Sequence, residues 1–299
     1  MNILFPQTSR VHGARQELLL KELSNLASVR IADMSVFGGD MPSRSWAYAK
    51  EFDAYIRKGK TDLVIIRGDR YEMLPLAMIC SYHNIPIAHI EGGDLSGVID
   101  NKVRKAITAL ADLHFATNEE SKNRLLSMGT DPEKTFNFGS LDCEYALSVI
   151  PKRTIQEPYI LVLYHVIEGE NPQELTEALI GIDRRIIGIK GNLDYGGTLY
   201  QEEYAPEEFV NLMRFADCII GNSSAGIKEA SVLGTPVVNI GSRQKGRLKP
   251  ENVLDCECKT EAVRSAIESQ ISHGRYEPSN IYYQPQTSKK IAQEIIKYG

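Results

Sequence analysis

The stretch Asp217-Cys218-Ile219-Ile220-Gly221-Asn222-Ser223-Ser224-Ala225-Gly226-Ile227-Lys228-Glu229-Ala230 decides how the chain folds. Cys218 to Ile220 is a short apolar run of the kind a buried parallel strand carries. Gly221 and Asn222 interrupt it, and Ser223 or Ser224 can cap the helix predicted to follow. The first N–H groups of such a helix lack partners and the dipole adds positive charge, so an anion fits there. Two hydroxyls beside it are further donors for phosphate oxygens. Glu229, on the same helix, can accept hydrogen bonds from a sugar hydroxyl pair. An ordinary capped helix after a strand looks the same, so the weight falls on the rest of the chain.

Working outward, strands are predicted at Asn2–Phe5, Val29–Ala32, Asp62–Ile66, Ile85–Ile90 and Leu113–Thr117. Helices are predicted at Ala14–Leu26, Trp46–Ile56, from about Tyr71, at Lys102–Ala111 and at Glu119–Met128, with polar loops over Gln7–Gly13 and Gly38–Ser43. A second series has strands at Tyr159–Leu163, Ile186–Ile189, in the opening stretch and at Pro236–Ile240. Its helices are Pro206–Phe215, Glu261–Ser272 capped by Thr260, and Ser288–Lys297. Strands alternating with helices at this spacing mean parallel sheets with helices on both faces, an α/β fold. Ser148 to Pro158, with two prolines and several charges, separates the two series. The expected domains are 1–152, 153–285 and a final helix, 286–299, returning to the first.

At 299 residues the chain has room for two such domains, and 42% hydrophobic with 24% charged residues is ordinary for a globular protein. A net charge of −5 leaves no basic footprint for nucleic acid. The start lacks the basic and apolar regions of a signal peptide, and no apolar run nears the ~20 residues of a membrane span. Five cysteines, an odd number, point to reduced thiols in the cytoplasm. Cys256-x-Cys258 lacks zinc spacing, so no metal is expected.

Ligands of doubly wound domains sit at the carboxyl ends of the strands, and two such domains are expected to face each other across a cleft. The polar clusters of the sequence fall at those ends: Arg67–Arg70, His89–Asp94, Tyr164-His165, Asn192–Gly197 and Gly221–Ser224. Asp69, Glu91, Asp94 and Asp100 form the acidic set of the first half. Carboxylates sharing a cleft can hold different pKa values, one giving and one taking a proton. Glu91 precedes Gly92-Gly93, where backbone can approach a ligand closely. Asp69 reads equally well as a helix cap, and Asp94 as a turn residue. His165 suits a proton transfer or a phosphate hydrogen bond. Arg10, Arg70 and Arg243 are loop cations able to neutralise a diphosphate.

Four blocks together resemble the UDP-N-acetylglucosamine 2-epimerase family: Arg67-Gly68-Asp69-Arg70, His89 to Asp100, Gly221 to Gly226, and Asn239 to Arg247. The second block, with Arg104-x-Ala106-Ile107-Thr108, is similar to the hydrolysing branch that feeds sialic and legionaminic acid synthesis. The resemblance implies the GT-B fold, two Rossmann-like domains facing across a cleft. It implies loss of the C2 proton and of UDP from UDP-N-acetylglucosamine, then hydration of a 2-acetamidoglucal to N-acetylmannosamine or a 4-modified analogue. Carried over by position, Asp69, Glu91, Asp100 and His165 are the catalytic set. Glu91 and Asp100 would handle protons at the sugar, Asp69 would hold or polarise it, and His165 would lie near the phosphates. Ser223 and Ser224 would bind the diphosphate and Glu229 the ribose, with Arg10, Arg70, Asn192 and Arg243 closing around UDP. No cofactor or metal is implied, and a homodimer is. The chain departs from the family in Thr8-Ser9-Arg10 at the first loop, in Lys105 where the hydrolysing branch has His, and in being shorter between the second strand and Trp46 and between His165 and Asn192. A GT-B glycosyltransferase, a non-hydrolysing epimerase and a non-catalytic nucleotide-sugar binder are the alternatives. The acids around Glu91 favour the epimerase over the transferase and the binder.

Overall fold

The computed structural model describes residues 1–8, 10–34, 40–190, 199–200 and 202–299, with the side chains of 10–14 outside the description. Contacts divide the chain into two units, Met1–Glu144 with Tyr283–Gly299, and Tyr145–Tyr282.

The first unit contains β1 (Asn2–Gln7), α1 (Arg10–Ser24), β2 (Ser28–Asp33), α2 (Met41–Arg57), β3 (Leu63–Arg67) and α3 (Met73–Tyr82). There follow β4 (Ile87–Ile90), α4 (Asp100–Leu110), β5 (Leu113–Ala116), α5 (Glu119–Ser127), β6 (Thr135–Asn137) and α6 (Leu141–Ser148), whose last turns belong to the second unit. Its six strands run in the order β2-β1-β3-β4-β5-β6, and every pairing is parallel. The central strands are buried on both faces, which is why Leu63-Val64-Ile65-Ile66 reads as a continuous apolar run. One face packs on α2, α3 and α4 through residues such as Phe52, Leu76 and Ile107. The other packs on α1 and on α11 (Thr287–Tyr298), which brings Ile291 and Ile295 onto Ile3 and Phe5. Thr287 donates to the Phe138 carbonyl at 2.7 Å and Ser288 N–H to Glu144 at 2.8 Å, tying the start of α11 to the same unit.

The second unit contains β7 (Tyr159–Leu163), α7 (Pro172–Leu179), β8 (Arg185–Gly188), α8 (Pro206–Phe215), β9 (Cys218–Gly221) and α9 (Lys228–Leu233). It ends with β10 (Val237–Ile240), β11 (Val253–Cys256) and α10 (Thr260–His273). Its sheet order is β11-β10-β9-β7-β8, again parallel throughout. Both sheets reverse their winding once, between β1 and β3 in the first unit and between β7 and β9 in the second. Ligands of open parallel sheets lodge outside the carboxyl ends at such reversals.

Several expectations are corrected. The helix expected from Ala14 starts at Arg10, so Arg10 is the first residue of α1 and not a loop cation. The single Gly13 costs about 1 kcal/mol within a helix, too little to exclude the turn around it. α2 begins at Met41, five residues before Trp46, because Asp40 accepts the Ser43 N–H at 2.9 Å and Pro42 suits the first turn. Thr260 does not cap α10; it begins the helix and binds Glu174 through its N–H and hydroxyl, both at 2.7 Å. The unit boundary falls within α6 rather than at 152/153. Arg214 donates to the Ala146 and Val149 carbonyls, which assigns the end of α6 to the second unit.

The turn after β9 is the tightest backbone passage at the reversal. Gly221 has φ +141°, and a Cβ there would lie 2.1 Å from the Leu163 carbonyl oxygen of the neighbouring strand. Gly221→Ala therefore forces β7 and β9 apart. Urea unfolding is expected to show a loss of at least about 3 kcal/mol, in the range reserved for backbone clashes in a core.

Candidate active site

In the first unit two of the acids expected from sequence, Asp69 and Glu91, are each held by a buried arginine. β3 and β4 are neighbours with Arg67 opposite Ile90, so Gly68-Asp69 and Glu91 leave the sheet side by side. Gly68 turns with φ +76°, and its N–H still donates to the Ile90 carbonyl at 2.9 Å. Arg67, 8% exposed, donates to Glu91 at 2.7 and 3.1 Å and to Asp142 of α6 at 2.6 Å. Burial works against its charge, but Asp142 and Glu91 outweigh it and hold the guanidinium above its ordinary pKa. Glu91 has φ +70°, a left-handed conformation rare for a residue with a side chain. Such strain costs on the order of 1–3 kcal/mol and concentrates at functional sites.

Arg104, 3% exposed, is the second of these arginines. It pairs with Asp69 and donates to the Asp94 carbonyl at 2.7 Å. Asp100 opens α4 and lies one turn before Arg104 on the same helix face, buried at 8%. Asp69, Glu91 and Asp100 are thus brought to one edge of one sheet. Asp69 does not cap the helix after it: α3 begins at Met73 with no side-chain cap bond. Asp94 is no solvated turn residue. Its carboxylate is buried and accepts from Thr117 at 2.8 Å and Ser121 at 2.7 Å, which anchors the loop. Gly93 presses onto the Ser121 carbonyl, where a Cβ would stand at 2.2 Å.

Arg70 is already engaged. It pairs with Glu72, which is fully buried and also accepts from Thr8 at 2.8 Å. The ends of β1 and β3 are joined at the reversal by this contact. The side chain of Arg10 and the whole of Asn192 lie outside the described residues.

In the second unit the organiser is Asn222, fully buried. Its amide accepts from the His165 N–H at 2.8 Å and donates to the His165 carbonyl at 2.9 Å, stapling the end of β7 to the end of β9. The Asn222 carbonyl accepts from Arg243 and Gln244, both at 2.8 Å. Glu170 accepts the Ser242 N–H at 2.8 Å and fixes the loop that carries Arg243. His165, Ser223, Ser224 and Arg243 are therefore clustered at adjoining strand ends. The helix expected after the serines is present in two short pieces. Ser223 caps a single 3-10 turn, Ser224–Gly226, accepting the Ala225 N–H at 3.3 Å, and α9 spans six residues. The dipole contribution is correspondingly small, and hydroxyls and individual N–H groups are the donors present. Glu229 lies in the first turn of α9, buried at 2%.

Sequence reading gave no individual role to Arg67, Arg104, Asn222 or His89, although they fall in its clusters and motifs, and it did not single out Asp142 or Glu72. His89 sits beneath it, fully buried, with Nε2 2.9 Å from the Gly68 carbonyl oxygen and Nδ1 3.2 Å from Thr108 Oγ1. Burial lowers its pKa to about 4, partly offset by the Gly68 carbonyl. Its strand partner His114 is lowered to about 4, chiefly by burial. Among the described residues no group of three or more His, Cys, Asp or Glu side chains is placed to hold a metal ion. No described helix is long and apolar enough to cross a membrane.

With this geometry in place, the comparisons are specific. A profile of the UDP-N-acetylglucosamine 2-epimerase family matches residues 32–296. The chain is 34% identical over 254 residues to the GDP/UDP-N,N'-diacetylbacillosamine 2-epimerase (hydrolyzing) of Campylobacter jejuni, covering 72% of this chain and 65% of that protein. It is 33% identical over 263 residues to the UDP-N,N'-diacetylbacillosamine 2-epimerase (hydrolyzing) of Legionella pneumophila, covering 78% and 70%. The match thus spans about two-thirds of the length of these relatives. The UDP-GlcNAc 2-epimerase of Methanocaldococcus jannaschii, solved with UDP-GlcNAc and UDP, superposes at a TM-score of 0.85 with 18% identity, covering all of both chains. The fold is the α/β GT-B type of two doubly wound units. The chain belongs to the UDP-N-acetylglucosamine 2-epimerase family.

The two buried histidines make stability depend on pH. In the unfolded chain they titrate near 6.5, in the folded one near 4, so between these values the unfolded state binds more protons. Their contribution is complete above about pH 6.5 and is lost as pH falls towards 4, by up to about 3 kcal/mol each. Urea midpoints measured from pH 7.5 down to 4.5 are expected to fall, and to fall less in His114→Phe.

Proposed function

We propose that the chain is a hydrolysing UDP-N-acetylglucosamine 2-epimerase, converting UDP-N-acetylglucosamine or a 4-modified analogue to UDP and the 2-epimeric free sugar. The pairing of Glu91 with Arg67 and of Asp69 with Arg104, beside Asp100 at the start of α4, in a chain of this family, carries the reading. A carboxylate removes the C2 proton, and the C–H electron pair forms the C1–C2 double bond. The C1–O bond breaks and its electrons leave on the UDP oxygen. Water then adds across the double bond, its hydroxyl to C1 and a proton to C2 on the opposite face. Glu91 and Asp100 handle the protons, and Asp69 holds the sugar. His165 meets the phosphates, Ser223 and Ser224 donate to the diphosphate, and Glu229 accepts from the ribose. Arg10, Arg70, Asn192 and Arg243 complete the UDP set. Arginine and hydroxyl donors aimed at developing phosphate charge are the means of stabilising that leaving group.

A substituent at C4 is favoured by the two relatives named for N,N'-diacetylbacillosamine. A homodimer, a cytoplasmic setting and a role in sialic-acid-type biosynthesis belong to the same reading. Five free cysteines agree with a reducing compartment.

The test is NMR in D2O with UDP-N-acetylglucosamine and, in parallel, UDP-N,N'-diacetylbacillosamine. UDP and a free 2-epimerised sugar carrying deuterium at C2 are expected from at least one of them. A UDP-linked epimer would instead mark the non-hydrolysing reaction, and bound but unchanged substrate a transferase or a binder. In the same assay Glu91→Gln is expected to lower turnover at least a thousandfold while UDP still binds; turnover near the native rate removes Glu91 from proton handling. Ser223→Ala with Ser224→Ala is expected to weaken UDP binding about tenfold to a hundredfold, the loss of one or two charge-assisted hydrogen bonds. Calorimetry showing native affinity would take the diphosphate away from these hydroxyls.

A further inference from the structure

Within the second unit, the edge of the sheet opposite Asn222 and His165 holds an open cavity of about 590 Å³. It lies at the amino ends of β9, β7 and β8, which adjoin in that order. β9 has four residues, so the cavity and Ser223 are separated by roughly 13 Å along the strand. Four arginines line it: Arg153, Arg184, Arg214 and Arg275.

Only one of the four is compensated. Arg184 pairs with Asp217 at 2.8 Å. Among the described residues no carboxylate stands within ion-pair distance of Arg153, Arg214 or Arg275. Their hydrogen bonds go to carbonyls instead. Arg153 donates to Ile155 and Gln156 at 3.0 and 3.2 Å. Arg214 donates to Ala146 and Val149 at 2.8 and 3.1 Å, and Arg275 to Arg214 at 2.6 Å and to Leu233. Carbonyl oxygens satisfy N–H groups but leave the net charge in place. Arg214 Nε is also buried with no partner. Burial lowers the pKa of Arg275 and Arg214, and the two cations repel each other. The wall between them is apolar, formed by Pro158, Phe215 and Ile271.

We propose that this cavity is a second binding site, taking a small molecule that carries a phosphate group on an apolar or aromatic body. Three uncompensated guanidiniums match a multiply charged phosphate better than a single carboxylate, and the volume is that of a small-molecule site. The concave shape and the net charge of −5 on the whole chain favour a small ligand over nucleic acid. The site stands whether or not the chain turns over a nucleotide sugar.

The test is calorimetry on the full chain with two probes, adenosine monophosphate and inorganic phosphate. The nucleotide is expected to bind tighter than phosphate. Arg153→Glu, on the exposed rim, is expected to weaken nucleotide binding at least tenfold, and Arg153→Gln by less. Ser223→Ala with Ser224→Ala should leave this binding event within twofold of native. Circular dichroism melts confirm that the Arg153 variants are folded. No heat with either probe, or native affinity and stoichiometry in folded Arg153→Glu, overturns the site. Phosphate binding as tightly as the nucleotide overturns the apolar part of the ligand.

Discussion

A guanidinium taken out of water must be met by negative charge, and in the first unit that requirement organises the sheet edge. Arg67 leaves the end of β3 almost without solvent, between Glu91 at the end of β4 and Asp142 on α6. Removing both partners would leave a buried charge uncompensated, an effect on the order of 3–5 kcal/mol. The ion pairs therefore hold three elements in register, and they also explain how Glu91 is kept in a left-handed conformation. Arg104 repeats the device one strand over, drawing Asp69 and the Asp94 backbone onto α4. In both places a buried cation fixes where a carboxylate stands.

The second unit joins its strand ends through a neutral amide instead. Asn222 joins the ends of β7 and β9 through its side chain, and accepts from Arg243 and Gln244 through its carbonyl. Gly221 permits the close approach that makes these bonds possible. An amide offers two donors and an acceptor that do not titrate, so this edge keeps its geometry across the pH range in which the first unit loses stability through His89 and His114. The histidines are a liability in acid because they are buried as neutral spacers, with Gly92 packed so close to His89 that a Cβ would stand 3.1 Å from Nδ1.

Much of this was legible in the residues. Apolar runs such as Leu63–Ile66 and Cys218–Ile220 announce buried parallel strands, and the polar clusters that follow them mark the carboxyl edge, where open parallel sheets take their ligands. Glu91 stands out because it follows a strand and precedes two glycines. The supporting residues were not legible, because their roles are set by partners distant in sequence. Arg67 reads only as the first residue of a polar cluster until Asp142, 75 residues away, is seen to meet it. Asn222 reads as a strand breaker until His165, 57 residues away, closes on it. β6, with three residues, and β11, half exposed at a sheet edge, carry too few apolar positions to announce themselves. The short 3-10 turn after Ser223 was masked by serines that cap it and a longer helix equally well.

Parallel strands give the two edges of a sheet different chemistry, and the arginine cavity follows from this. Helices return antiparallel to the strands, so their carboxyl ends collect at the amino edge of the sheet, where unpaired carbonyls attract cations. Arg214 meets the end of α6, and Arg275 meets the ends of α8 and α9. Arg214 and Arg275 are each accounted for as a helix terminator. Their sum is not, because carbonyl dipoles answer hydrogen-bonding needs and not whole charges. Capping several helices at one place with arginine rather than with glycine leaves a surplus of positive charge around a hollow. Had stability alone been at issue, a nearby carboxylate would neutralise it, as Asp217 does for Arg184. The absence of such partners for the other three described arginines is what separates a binding edge from a merely terminated one.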